Sequence, residues 1–350
     1  MKNYHHTFIQ SLLLPIKQVG FLLSLLLLPF VLFAQETADK QLSPEDSFRL
    51  MFYNVENYFD SYNDSLTNDE EYLPDGMRRW GYKRFVKKRN NIYKTIMAVG
   101  DMQPPALIGL CEVENRFVLN QLVYKTPFAH FDYRIVHQES PDRRGIDVAL
   151  LYNPNVFQAL YHTAIGIRFP FSPETRTRDI LYVKGLVFGS DTLHVFVNHW
   201  PSRYGGELNS QPRRMYVAQV LAAKVDSIMH KNANAAIVIM GDFNDYPDNQ
   251  SIQKILNAGK NLQENRLYHL MPKASSDLGT HKFQGEWGIL DQIMVSPALI
   301  SQDIGIFVEK EAHIFNAGFL LEDDVKFLGE KPRRTYDGAR YRDTKFFFLG

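Results

Sequence analysis

Apolar and polar positions alternate in two different periods along this chain. Residues 48–56, FRLMFYNVE, read as a strand. Residues 57–79 are rich in Asn, Asp and Glu, with Pro74-Asp75-Gly76 as a turn. Phe85, Ile92, Ile96 and Val99 then recur at helical spacing, on a helix whose outer face is basic. PALIGLC (105–111) predicts a buried strand, and DYRIVHQ (132–138) and IDVALLYN (146–153) predict two neighbouring ones. A polar stretch is expected from there to about residue 180. TLHVFVNHW (192–200) alternates like a half-buried strand, while Ala218, Leu221, Val225 and Ile228 mark one face of a second long helix. AAIVIM (235–240) and DQIMVS (291–296) complete the strands. Strands outnumber helices, which suggests an α/β fold of sheets packed on each other with helices outside. No G-x-G-x-x-G or Walker pattern is present, which argues against a doubly wound nucleotide-binding fold.

The first 47 residues follow different rules. Gly20 to Phe33 is an uncharged apolar run flanked upstream by Lys2 and Lys17, too short for the roughly 20 residues of a membrane span. Residues 1–34 are therefore expected to be a signal peptide cleaved near Ala34, with an uncleaved anchor as the alternative. Residues 35–47 read as a disordered leader. The chain would then be exported, to the periplasm or outside the cell, with no stable membrane association, and would act as a monomer. Cleavage leaves 37 basic against 39 acidic residues, so no global field attracts nucleic acid, although a local patch could. Cys111 is the only cysteine and excludes an intrachain disulfide.

Candidate chemistry gathers where strands end. NVEN ends one strand with Asn54 and Glu56, GLCEVEN another with Glu112 and Glu114, and VNHW a third with Asn198 and His199. MGDFND supplies Asp242 and Asn244, and GILDQIMVS starts a strand with Asp291. Carboxylates and amides without Cys are hard ligands and suit Mg²⁺ or Mn²⁺. Such an ion polarises a phosphoryl oxygen, an Asp can take a proton from water, and a His or Asn can donate to phosphate.

In this order the blocks NVEN, GLCEVEN, RRGIDVALLY, VNHWPSR, MGDFND and GILDQIMVS resemble the endonuclease/exonuclease/phosphatase superfamily over residues 48–341. The resemblance implies a four-layer αββα sandwich of two mixed β-sheets with outer helices, spanning 48–350. It also implies Mg²⁺- or Mn²⁺-dependent hydrolysis of a phosphate ester: a phosphodiester such as that of nucleic acid, or a phosphomonoester. By match, Glu112 would be the principal metal ligand, with Asn54 beside it and Glu56 behind. His199 would hydrogen-bond the scissile phosphate, Asp242 would orient or deprotonate the attacking water, and Asn244 would hold a phosphate oxygen. Asp291 would support a histidine from the last strand, and Asp147 and Arg203 would face the substrate. The family normally closes on Ser-Asp-His, whereas this chain reads RDTKFFFLG after residue 341, and its last histidine is His313. A truncated or altered ending with impaired activity is one reading; His281 or His269 supplying the function is another. A non-catalytic binding module that keeps the fold is the competing function.

Other residues carry plainer expectations. His199 shares strand parity with Val195 and Val197, so a core histidine is an alternative for it. Asp245 and Asp248 read as turn residues around Pro247, and Glu114 as an acid at a helix N-terminus. The acid-rich loop 60–75 reads as solvated. The basic run Arg78, Arg79, Lys83, Lys87 and Lys88 reads as an exposed helix face that could alternatively meet phosphate.

Overall fold

The strand β8 (Ala236–Asp242) is buried at every position and divides its side chains between two cores. Ala236, Val238 and Met240 enter one cluster, while Ile237 and Ile239 enter another with Val217, Ala218, Leu221 and Val225. Period-two alternation with both faces covered places a second sheet on one side and a helix on the other. A computed structural model describes residues 47–262, 266–301, 304–337 and 340–341 and shows that arrangement. The readings of a signal peptide (1–34), of a leader (35–47) except Ser47, and of an altered ending (342–350) lie outside the described residues.

The first sheet has the order β1-β2-β4-β3, from β1 (Leu50–Tyr58), β2 (Leu107–Val113), β3 (Arg134–His137) and β4 (Asp147–Tyr152). The second joins β5 (Phe157–Ile165), β6 (Ile180–Val187), β7 (Asp191–His199), β8, β13 (Asp291–Val295), β10 (Leu267–His269) and β9 (Ala258–Gly259), in that order. A hairpin of β11 (His281–Phe283) and β12 (Glu286–Gly288) precedes β13. Leu107, Cys111, Val148 and Leu150 of the first sheet pack on Val195, Val197, Val238 and Met240 of the second. Outside the first sheet lie α1 (Tyr82–Val99) and α2 (Arg116–Tyr124), whose Phe85, Ile92, Ile96, Leu119 and Leu122 cover Ile108 and Leu110. Outside the second lies α3 (Glu207–Met229). The described residues from 48 on form a four-layer αββα sandwich of two mixed sheets, as the family resemblance implies.

Three details differ from the sequence reading. The stretch expected to be polar holds β5 and ends where β6 begins. β5 is an edge strand with only Phe157 of its nine residues buried, so it lacks the apolar density of a core strand. β7 is fully buried from Val195 to His199 because α3 covers one face and the first sheet the other. The acid-rich loop is only partly solvated: Asp60 and Asp69 are buried and accept the backbone N–H groups of Tyr62 (2.7 Å) and Asp64 (2.9 Å).

Candidate active site

Alternation alone would send Glu112 to the helix-covered face with Ile108 and Leu110. A bulge prevents this. Cys111 pairs with Val148, but Asp147 pairs with Val113, so Glu112 is skipped in the β2–β4 ladder. Its φ of 61° lies in the left-handed region. Val113 then takes the helix-facing position, in the cluster of Ile108 and Leu110. β1 does the same at Glu56 (φ 52°) and Asn57 (φ 55°), where its register with β2 shifts between Asn54 and Tyr58. A left-handed non-glycine residue costs on the order of 1–3 kcal/mol, and such costs cluster at functional sites. Here the bulges bring Glu112 to the rim between the sheets.

The opposite wall needs no bulge. His199 pairs with Asp242 in the parallel β7–β8 ladder, and Asp242 pairs with Asp291 in the antiparallel β8–β13 ladder. Across the gap, the Asn54 Nδ2 donates to Glu112 Oε1 (3.3 Å) and to Asp242 Oδ2 (3.1 Å). The other Glu112 oxygen accepts the Asn57 N–H at 2.8 Å. His199 Nε2 stands 3.9 Å from Glu112 Oε1 and 3.8 Å from Asp242 Oδ2. Asp242 Oδ1 accepts the Asn244 N–H at 2.9 Å, and Asn244 itself is left-handed (φ 50°) with its amide donating to the Trp200 carbonyl (3.0 Å). Residues far apart in the chain thus meet in one cluster.

The sequence profile of the Endonuclease/Exonuclease/phosphatase family matches residues 49–346. The chain belongs to this family. No curated protein sequence matches it. Among solved structures, ANGEL2, a 2′,3′-cyclic phosphatase, in complex with adenosine-2′,3′-vanadate, superposes with a TM-score of 0.50 at 15% identity, over 71% of this chain and 84% of that one. A mannosyl-6-phosphatase of Bacteroides thetaiotaomicron VPI-5482 gives 0.47 at 14%, over 72% and 86%. The human Nocturnin catalytic domain with bound sulfate gives 0.45 at 16%, over 72% and 83%.

Electrostatics at the site of this family member are one-sided. Burial, opposed by the Asn244 N–H and reinforced by Glu112, pushes the Asp242 carboxyl up to about 6. Burial and then the charge of Asp242 push Asp291 well above the usual carboxylate range. Burial, with Arg178 and Arg144 adding to it, holds His199 well below the ordinary imidazole value, so the ring is neutral. The buried Arg178 does not neutralise these acids directly: it binds Asp142 (2.9 Å) and the carbonyls of His199 (3.2 Å) and Trp200 (2.5 Å). His199 Nδ1 and Asp291 Oδ1 are buried without a partner among the described residues. Crowded carboxyls with orphaned polar atoms fit a hard divalent cation. Glu112 and Asp242 suit it as they stand. Asn54 would have to turn its amide, because its Oδ1 accepts the Glu56 N–H at 2.9 Å.

Three candidates are engaged elsewhere. The Glu56 carboxylate accepts from Arg334 Nε (2.6 Å) and the Thr335 N–H (2.7 Å), with Lys88 Nζ at 3.9 Å. Arg203 donates to the Asn244 carbonyl (2.7 Å), Glu207 (3.1 Å) and Asn249 (2.9 Å), bracing the loop after β8. Asp147 is buried against His137 Nε2 (3.2 Å) and the Ser140 N–H (2.8 Å). His137, Glu139 and Asp147 each place one ligand atom within 4.8 Å of the other two. His269 is spent on Gln292 at 2.8 Å. Sequence reasoning missed Arg178, Asp142 and Thr280, whose hydroxyl receives the N–H groups of Leu290 (3.0 Å) and Asp291 (3.1 Å). Only the Asp142–Arg178 pair left a trace, as two unlike charges in otherwise unremarkable loops.

Proposed function

We propose that this chain is a phosphoesterase that hydrolyses a phosphodiester or phosphomonoester with a bound Mg²⁺ or Mn²⁺. The observation that supports it most is the meeting of Asn54, Glu112, His199 and Asp242 across the two sheets of a family named for phosphate-ester chemistry. Glu112 and Asp242 would hold the cation, which when bound polarises the phosphoryl oxygen and neutralises charge on the transition state.

The chain's own groups would do the rest. Asn54 ties the two carboxylates together, so neither needs to reorganise when substrate arrives. Neutral His199 can donate one ring N–H to a phosphate oxygen and, carrying no charge, does not compete with the cation for the carboxylates. Asp242, whose Oδ2 faces the rim beside Asn54 and His199, is placed to orient an attacking water and take its proton. Asn244 fixes Asp242 through its backbone N–H.

The test is hydrolysis of DNA, RNA and a phosphomonoester panel with Mg²⁺ or Mn²⁺, comparing the wild type with Glu112→Gln, His199→Gln and Asp242→Asn. Loss of about 10²–10⁴ in kcat with unchanged circular dichroism is expected for Asp242→Asn. Glu112→Gln is expected to lose metal affinity as well. If wild type and Glu112→Gln are equally inactive on every substrate, the chain is a binding module and the proposal fails.

A further inference from the structure

The segment between β1 and α1 is built on aromatic rings. Phe59 stacks on Tyr72 with centroids 4.1 Å apart, Tyr72 meets Trp80 edge-on at 6.2 Å, and Trp80 reaches Tyr336 at 6.0 Å. The Trp80 indole N–H donates to the Phe59 carbonyl at 2.9 Å. Arg78 lies on this platform, its guanidinium carbon 5.1 Å from the Tyr72 centroid and 4.9 Å from that of Tyr336. Glu71 fixes its Nε at 2.8 Å, and the Tyr336 hydroxyl donates to its carbonyl at 3.1 Å. Two rings, a carboxylate and a backbone bond hold one cation in a defined place.

Two cavities of about 170 Å³ each open beside it. Both are walled by Asn57, Tyr72 and Arg78; Arg334 and Thr335 complete one, and Asn68 and Arg144 the other. Each is several times the roughly 30 Å³ share of a liquid water. Asn57 connects them to the reaction centre, since its N–H holds Glu112 at 2.8 Å. Over that distance the excess of carboxylates gives way to a slight excess of cations, because Lys88 joins three arginines that pair with Glu71, Glu56 and, at 3.5 Å, Asp142. Glu56 and Glu71 line the cavities, but Arg78, Arg144 and Arg334 line them too, and Lys88 stands 3.9 Å behind Glu56. A rim of carboxyls suited to a cation therefore borders a cationic recess suited to an anion.

We infer that the recess around Arg78, Arg144 and Arg334 is a second-anion subsite, which takes a further phosphate carried on the alcohol portion of the ester being cleaved. The inference rests on the phosphoesterase reading and narrows its substrate class to phosphorylated alcohols. Guanidinium groups match phosphate oxygens in fork geometry, and Arg78 is already ordered, so little side-chain freedom is lost on binding.

Thymidine 3′,5′-bisphosphate and thymidine 5′-monophosphate differ by that one group. With Mg²⁺ present, the wild type should favour the bisphosphate about tenfold or more in kcat/KM, mostly through KM, in keeping with one charge-assisted contact. Arg78→Ala should lose at least tenfold more on the bisphosphate than on the monophosphate, and Arg78→Lys should recover part of the difference. Equal losses on both, or no wild-type preference, would overturn the subsite. Should neither compound be hydrolysed, calorimetric titration of both compounds still decides the subsite, while the phosphoesterase reading is decided separately by the wider substrate panel. Tighter bisphosphate binding that Arg78→Ala abolishes supports it, and equal affinities refute it. If Arg78→Ala does not fold, Arg144→Ala, whose side chain is half exposed, carries the same comparison.

Discussion

Glu114 follows the bulged end of β2 and is only 3% exposed, with one oxygen accepting the Asp60 N–H at 2.7 Å. Burial, with Asp60 and Asp69 nearby, pushes its carboxyl from 4.5 up to about 9, so the folded protein keeps its proton at neutral pH. The unfolded chain releases that proton near 4.5, which fixes the sign. The stabilising contribution is complete below about 4.5 and is lost as pH rises toward about 9. The melting temperature should therefore fall between pH 6 and pH 9, and fall less in Glu114→Gln. Identical pH profiles for the two proteins would show that Glu114 is ionised in the fold. Asp242 and Asp291 contribute in the same direction, so the difference between the proteins, not the wild-type drop, is the readout. Sequence reasoning assigned Glu114 to a helix N-terminus, but Asn115 caps α2, accepting the Val118 N–H at 3.1 Å, and Glu114 turns inward. Polar residues that end apolar runs were legible as a site. Whether each faces a cation, a backbone N–H or solvent depends on partners distant in sequence.

Among elements, α3 shows both what periodicity reveals and what it hides. Its apolar face was legible from Ala218, Leu221, Val225 and Ile228, all of which are buried as expected. Its polar anchor was not. Arg214 is fully buried, with Nε 2.6 Å from Asp245 Oδ1 and Nη1 2.8 Å from the Ser210 hydroxyl. The other Asp245 oxygen accepts the Ser251 hydroxyl at 2.6 Å. The turn reading of Asp245 is thus corrected, because an Asp cluster around one proline looks identical whether it meets water or an arginine 31 residues upstream. Edge strand β5 was missed for a related reason: period two marks a strand only where one face is covered. The Arg214–Asp245 pair joins α3 to the loop that presents Asn244. Arg214→Ala should cost about 3–5 kcal/mol in urea denaturation, because it leaves Asp245 buried without its cation. Arg214→Met combined with Asp245→Leu should recover much of that loss. A cost below about 1 kcal/mol for the single variant would mean that water reaches the pair and screens it.

At the scale of the molecule, the site exists only because two sheets meet at a fixed spacing. Glu112 comes from one sheet and His199 and Asp242 from the other, with Asn54 reaching across 188 residues of sequence to Asp242. Gly109, three residues before Glu112, sets part of that spacing. A Cβ there would stand 2.5 Å from Met240 Sδ and 3.1 Å from its Cγ, and Met240 lies two residues before Asp242. Met240 can yield a little; a branched side chain would force the sheets apart. Gly109→Val should therefore destabilise the fold by about 1–3 kcal/mol. It should also reduce kcat by more than its stability cost explains, since a displacement near 1 Å can cost about 10²-fold. Gly185→Ala is the control. Its Cβ would strike the Phe157 ring at 2.4 Å and the Gln158 carbonyl at 2.5 Å, straining edge strand β5. Gly185 pairs with Leu193, six residues and about 20 Å along β7 from His199. Comparable destabilisation with kcat intact at Gly185, against reduced kcat at Gly109, would tie catalysis to the distance between the sheets. An intact kcat in both variants would instead mean that the rim tolerates small shifts and that the bulges alone position Glu112, and an equal loss in both would tie kcat to general destabilisation.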